Sequence, residues 1–202
     1  GRILLMYAAV KAVSASLTVF ARPSRRPAFL SGLLSTLDEC KQYHVSPEAL
    51  ARAGEEAGGQ EGDKLKDLGL IFGAYDALTA RTAADPRDRL TRLAEGLERA
   101  PYAQGKDVYI DGFTDFVPQQ LSVLRHLMRQ AASVTVALTS SPLDEDPGAV
   151  FLPVRRTVER LKRLAEDAGQ KWEIAYIHDD HICKVKELSY IEQHLFSDDA
   201  SP

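Results

Sequence analysis

The chain has 202 residues, 45% of them hydrophobic, enough to bury a sizeable core in one domain or two small ones. A formal net charge of −4 excludes a global electrostatic drive toward nucleic acid, so any such contact has to come from local basic patches. The two cysteines, Cys40 and Cys183, lie far apart without CxxC or Cys/His spacing and imply neither a disulfide framework nor a zinc or iron–sulfur site. No run approaches the roughly 20 apolar residues of a membrane span. Gly1-Arg2-Ile3-Leu4 lacks the order of a signal peptide, so a cytoplasmic location without a membrane partner is expected. An apolar helical pattern that opens without an initiator Met leads us to expect a piece of a longer protein.

From Arg2 to about Arg99 the pattern is helical. After Pro27, suited to a first helical turn, Leu30, Leu33, Leu34, Leu37 and Cys40 recur at spacings of three and four and define one buried face. Ser46-Pro47 predicts a capped short helix. Residues 54–62, rich in glycine and glutamate, predict an exposed, mobile loop. Asp63 is then expected to cap a helix carrying Leu65, Leu68, Phe72, Tyr75 and Leu78 inward, and Asp85-Pro86 to open another with Leu90, Leu93 and Leu97.

After Gly105 the period changes. Residues 108–110, 134–138 and 172–177 are short apolar runs of strand length. Helical segments lie between them: 118–131, with Leu121, Leu124, Leu127 and Met128, and 153–168, with Val154, Val158, Leu161 and Ala165, stopped by Gly169. A last amphipathic helix uses Leu188, Ile191, Leu195 and Phe196. The expected fold is therefore α/β: a helical subdomain over residues 1–104, then a small parallel βαβαβ sheet over residues 105–202. Strands this apolar are expected to be covered on both faces.

The segment that raises a chemical question is Val108-Tyr109-Ile110-Asp111-Gly112-Phe113-Thr114-Asp115-Phe116, because an acid at the carboxyl end of a parallel strand sits where α/β folds bind ligands. In P-loop ATPases an aspartate there contacts Mg²⁺, and in helicases a glutamate usually follows to orient the attacking water. Gly112 occupies the glutamate's place and offers no base. The bland reading is that Asp111 and Gly112 simply end a strand. No G-x-x-x-x-G-K-[ST] segment occurs in the chain, and a phosphatase built on Asp111 would want a second acid where Phe113 stands.

These residues, Tyr109 to Pro118 followed by Val134-Thr135-Val136-Ala137-Leu138-Thr139, resemble the AddB family, subunits of AddAB-type ATP-dependent helicase/deoxyribonucleases. The start Gly1 to Leu5, the Pro27-Ala28-Phe29 helix running into Tyr43 to Leu50, Lys64 to Leu68 and the closing Tyr190 to Phe196 follow the family's order, so the resemblance spans nearly the whole chain. It implies a P-loop helicase-like, superfamily 1-like architecture, with residues 1–104 matching the 1B insertion and residues 105–202 the later half of domain 1A. Asp85-Pro86-Arg87-Asp88-Arg89-Leu90 is similar to the acidic-leucine stretch preceding the ATP-site strand of such helicases. Asp111, Gly112 and Asp115 then form the strand end of a degenerate ATP/Mg site, with no catalytic residue and no metal ligand assigned in this chain. The resemblance places ATP, Mg²⁺ and a 4Fe–4S cluster outside this segment. It implies an AddA-like motor subunit and single-stranded or duplex-end DNA as partners, in double-strand break end resection and hotspot scanning.

Nucleic-acid contacts are expected at Arg22, Arg25 and Arg26, clustered in a Pro-bounded loop, and at Arg156, Arg160 and Arg163, on one face of their helix with Glu159 and Glu166 near its edge. A solvated helix face is the plainer account of the second set. His178, Asp179, Asp180 and His181 have the chemistry of a transition-metal site, but a capped, hydrated loop is the plainer account of two adjacent acids. His126 and His194 suit packing or surface roles. Phe113 and Phe116 flank the strand end and could stack a base, although Phe113 as a core plug beneath the sheet is the plainer account. An independent protein-interaction module, a helical scaffold with a small α/β unit, is the competing reading of the whole chain.

Overall fold

The computed structural model describes residues 1–21, 26–82, 85–141, 143, 148–177, 185, 187–188 and 190–191. In chain order these form α1 (Arg2–Val13), a 3₁₀ turn, α2 (Pro27–Gln42), α3 (Pro47–Ala57), α4 (Gly59–Thr82), a second 3₁₀ turn (Pro86–Asp88) and α5 (Arg89–Arg99). There follow β1 (Asp107–Ile110), α6 (Pro118–Gln130), β2 (Ser133–Val136) and α7 (Gly148–Asp167). Two compact units result: Gly1–Ala100 with Val117–Val123, and Pro101–Phe116 with the residues from Leu124 onward.

In the first unit the leucine stripe of α2 is buried as its spacing predicts, with Leu30, Leu33, Leu34 and Leu37 in one core with Met6, Ala9 and Val10 of α1 and Ile71, Phe72 and Tyr75 of α4. Cys40, Leu65, Leu68 and Leu78 pack against that core from partly buried positions. Ser46 caps α3, its hydroxyl accepting from the Ala49 N–H at 3.2 Å. Asp85 opens the Pro86–Asp88 turn by accepting from the Arg87 N–H at 3.0 Å. On α5 the inward residues are Ala94 and Leu97, whereas Leu93 is 46% exposed.

The predicted loop over residues 54–62 is instead a close crossing of α3 and α4. Gly58 and Gly59, at φ +62° and +57°, reverse the chain in the left-handed region that side chains avoid, and α4 begins at Gly59, so Asp63 lies inside the helix and is not its cap. A Cβ on Gly54 would stand 2.6 Å from the Gly62 carbonyl oxygen, and one on Gly62 would press closer still on the Gly54 carbonyl. A Cβ on Gly69, two turns on, would meet the Pro47 carbonyl at 2.7 Å. These glycines are absent side chains that let two backbones touch, which composition alone reads as a loop.

In the second unit β1 and β2 pair in parallel, Asp107 with Ser133 through Ile110 with Val136. The predicted third strand, 172–177, is not one. It has no pairing partner among the described residues, and Trp172, Ile174, Tyr176 and Ile177 are all exposed. Its side chains find local partners instead: Trp172 Nε1 donates to Glu166 at 3.1 Å with Lys162 Nζ over its ring, and the Tyr176 hydroxyl accepts from the Leu143 N–H. An apolar β-branched run lacks the ladder that makes a strand until a neighbour supplies it. The described parallel unit is thus βαβ. Its strands alternate exposed and half-buried residues, with Tyr109 76% exposed, so both-face cover is absent among the described residues. Helix α7 starts at Gly148 and takes Pro153 within it, and Gly169 follows its end at φ +74°. Leu188 and Ile191 of the expected last helix are helical and about half exposed, while Leu195 and Phe196 lie outside the described residues.

Candidate functional site

The loop after β1 is built by its own acids. Asp111 is exposed, and its Oδ1 accepts from the Gly112 N–H at 2.7 Å. Gly112 holds φ +81° with nothing within 4 Å of where a Cβ would stand, so backbone conformation and not space reserves this position for glycine. Asp115 Oδ1 accepts from the Phe116 N–H at 2.7 Å and lies 3.1 Å from Thr157 Oγ1 and 2.8 Å from Arg160 Nη1. The core plug expected of Phe113 is instead Phe116, which is 3% exposed. Phe113 stacks on it at 4.9 Å and remains 38% exposed.

This donor set does not fit Mg²⁺ and nucleotide. Among the described residues Asp111 has no side-chain partner, Asp115 is neutralised by Arg160, and there is no group of three His, Cys, Asp or Glu suited to a metal. A 4Fe–4S cluster asks for four thiolates, and the sequence has two cysteines.

The expected basic contacts divide. Arg156 and Arg163 are exposed with no acidic partner among the described residues, and a 3.6-residue period puts them within about 20° of each other around α7. Arg160 faces the strand-end loop. Glu159 is paired by Lys162 at 2.9 Å and Glu166 receives the Trp172 N–H, so neither answers the two exposed arginines. Arg26 is exposed, while Arg22 and Arg25 lie outside the described residues, as does the whole 178–181 cluster.

Sequence reasoning missed a polar hub in the helical unit. Asp85, its side chain fully buried, meets Arg2 Nε and Lys41 Nζ, both at 3.3 Å. Arg2 also pairs with Asp38 and reaches the Tyr75 hydroxyl, and Lys41 contacts Asp88 at 2.8 Å and Asp76 at 3.2 Å. Lys41, Asp76, Asp85 and Asp88, with His44 and Thr79, border a cleft of about 430 Å³. A second buried acid, Asp67, accepts from the backbone N–H groups of Thr18, Val19 and Phe20 at 2.8–3.1 Å. The available signal was position: Asp67 lies four residues before Ile71, on the stripe that continues through Tyr75 and Thr79.

Burial works to lower the Lys41 pKa, but the hydrogen bond to Asp88 and attraction to Asp76 and Asp85 outweigh it and leave the value raised above 10.5. Burial pushes the Tyr75 phenol up as well, and works against the Asp85 carboxylate, which the Arg87 N–H, Lys41 and Arg2 nevertheless hold below its ordinary value. Asp76 is raised by burial, so the two acids oppose each other on the acid side. On the alkaline side the signs agree. A raised Lys41 stabilises the fold fully below its unfolded value of 10.5 and loses that contribution as pH climbs through the folded one, and a raised Tyr75 acts in the same direction. We expect the thermal midpoint to fall as pH rises past 10.5, and the Lys41→Gln variant to show a flatter alkaline limb. Parallel limbs in a pH series of melting curves would remove Lys41 as the cause.

Compared with known proteins, the chain matches the family described as ADDB, N-terminal, over residues 1–192. The chain belongs to the AddB N-terminal family. It is 31% identical over 205 residues to a protein named as the B-type subunit of an ATP-dependent helicase/deoxyribonuclease from Thermoanaerobacter sp. (strain X514), covering 98% of this chain and 18% of the relative. It is 36% identical over 198 residues to the protein of that name from Pelotomaculum thermopropionicum, covering 92% and 17%. The Clostridioides difficile relative, 30% identical over 175 residues, covers 85% and 15%. The chain therefore spans under a fifth of the length of these family members. No helix among the described residues is long and apolar enough to cross a membrane.

Proposed function

We propose that this segment is a non-catalytic, DNA-holding part of a DNA-processing helicase–nuclease subunit. The relatives' shared name supports a DNA-processing role for the parent protein, and the pair Arg156 and Arg163, aligned, exposed and unanswered by acids among the described residues, carries the DNA-holding part. The strand end supports the non-catalytic part: Asp111 stands where a Mg²⁺ ligand belongs, and Gly112 holds a backbone conformation unsuited to the water-orienting glutamate of an active motor. In this reading residues 1–104 correspond to a helicase 1B insertion and 105–202 to the later half of a P-loop helicase-like domain 1A. Nucleotide, Mg²⁺ and the iron–sulfur cluster belong to other segments. The partners are an AddA-like motor subunit and single-stranded or duplex-end DNA, in end resection for recombinational repair in the cytoplasm.

The test is charge reversal in the full-length subunit assembled with its motor partner. R156E/R163E is expected to weaken DNA binding at low salt and to flatten the slope of log K against log salt by about 0.7–0.9 for each phosphate contact removed. An unchanged slope would remove α7 from the DNA path. The exposed Ile3, Leu4 and Tyr7 of α1 favour the second reading, a protein-interaction module, which predicts that unchanged slope.

A further inference from the structure

The three arginines expected to track phosphates together are not equivalent. We propose that Arg160 is a positioning residue that fixes the loop after β1, and that the polyanion-facing surface of α7 is confined to Arg156 and Arg163. Around the helix Arg160 is turned by about 40° from Arg156 and 60° from Arg163, toward the buried side on which Thr157 lies. Its guanidinium spends both arms on one loop: Nη1 donates to Asp115 Oδ1 at 2.8 Å and Nη2 to the Phe116 carbonyl at 2.9 Å. Both acceptors belong to the segment that begins at Asp111.

The anchoring has a second layer. Thr157, 2% exposed, places its hydroxyl 3.1 Å from the Thr114 carbonyl and 3.1 Å from Asp115 Oδ1, and Phe116, 3% exposed, seats the loop's apolar end. Two residues earlier on the helix, Arg155 reaches the Leu143 carbonyl, so the loop after β2 is held from α7 too. Both loops at the carboxyl end of the sheet are thus referenced to one helix, where α/β folds place their ligands. A guanidinium engaged on a carboxylate and a carbonyl at once has a fixed plane, which a lysine cannot reproduce because it offers one point charge. A phosphate contact, by contrast, survives Arg-to-Lys exchange with most of its charge effect.

The loop anchoring stands on its own contacts, and only the confinement of the polyanion face rests on the DNA-holding reading. In the full-length subunit assembled with its partner, Arg160→Ala is expected to speed amide hydrogen exchange in residues 111–116 about tenfold or more, the scale of losing a charge-assisted pair. Exchange in β2 and the salt slope of DNA binding should stay as in the parent. Arg160→Lys should keep the faster exchange, because charge alone does not restore the two-armed contact, and Thr157→Val should loosen the same residues if Arg160→Ala fails to fold. A flattened salt slope in Arg160→Ala that Arg160→Lys restores overturns the proposal, and so does unchanged exchange in residues 111–116. Failure of R156E/R163E to alter the slope, with exchange in Arg160→Ala still faster, sinks the DNA-holding reading and leaves the anchoring intact.

Discussion

Asp67→Ala is expected to be among the most destabilising single changes in the helical unit, on the order of 2–4 kcal/mol, since a hydrogen bond to a charged group contributes about 1.5–3 kcal/mol and three partly solvated donors share this acceptor. The carboxylate is 1% exposed and gathers the N–H groups of Thr18, Val19 and Phe20, the segment that follows α1, onto the middle of α4. A carboxylate in that position is tolerated because its hydrogen bonds replace those of water, and an apolar side chain there takes the shared acceptor from three backbone donors that lie in exposed to half-buried residues. Asp67→Asn keeps one acceptor oxygen and should lose less, about 1–2 kcal/mol, the difference measuring the charge-assisted share. Urea unfolding of both variants separates the cases. A loss below about 1 kcal/mol in the alanine variant would mean that the segment finds other acceptors, and the three-donor anchor would no longer explain the burial of Asp67.

The helical half was legible wherever burial follows a period. The α2 stripe of Leu30, Leu33, Leu34 and Leu37 and the capping serine Ser46 stand as their pattern predicts, because each depends on neighbours within a turn or two. What escaped depends on distant partners. Asp67 looks like any helical acid until Thr18 to Phe20 arrive, 47 to 49 positions away. Asp85 reads as a cap, which it is, yet its full burial rests on Arg2 and Lys41 from two other helices. At the strand end, the acid after β1 and the left-handed glycine were visible as Asp111-Gly112, but the division of labour among Arg156, Arg160 and Arg163 was not. Helical period groups the three on one broad face, and only the position of Asp115 and the Phe116 carbonyl separates Arg160 from the other two. The 172–177 run failed for the same reason, since strand propensity states a preference and pairing is supplied by another part of the chain.

The same dependence on distant partners gives one substitution opposite signs at two glycines, both inside helices. Gly32 lies in α2 with open space where a Cβ would go, so Gly32→Ala should stabilise by about 0.5–1 kcal/mol through helix propensity and a less flexible unfolded chain. Gly62→Ala gains the same propensity term and should nonetheless destabilise by a net ~2 kcal/mol or more, on the order of the cost of forcing apart a filled contact. Its new methyl meets the Gly54 carbonyl oxygen, and a backbone oxygen one helix away cannot rotate aside as the end of a lysine can. Relief requires α3 and α4 to separate, which would also open the Gly69 approach to the Pro47 carbonyl. Thermal melts of the two alanine variants should therefore move in opposite directions from the parent. If Gly62→Ala melts at or above the parent, α3 and α4 do not cross at the distance that an absent Cβ allows, and residues 54–62 act as the exposed loop that their composition first suggests.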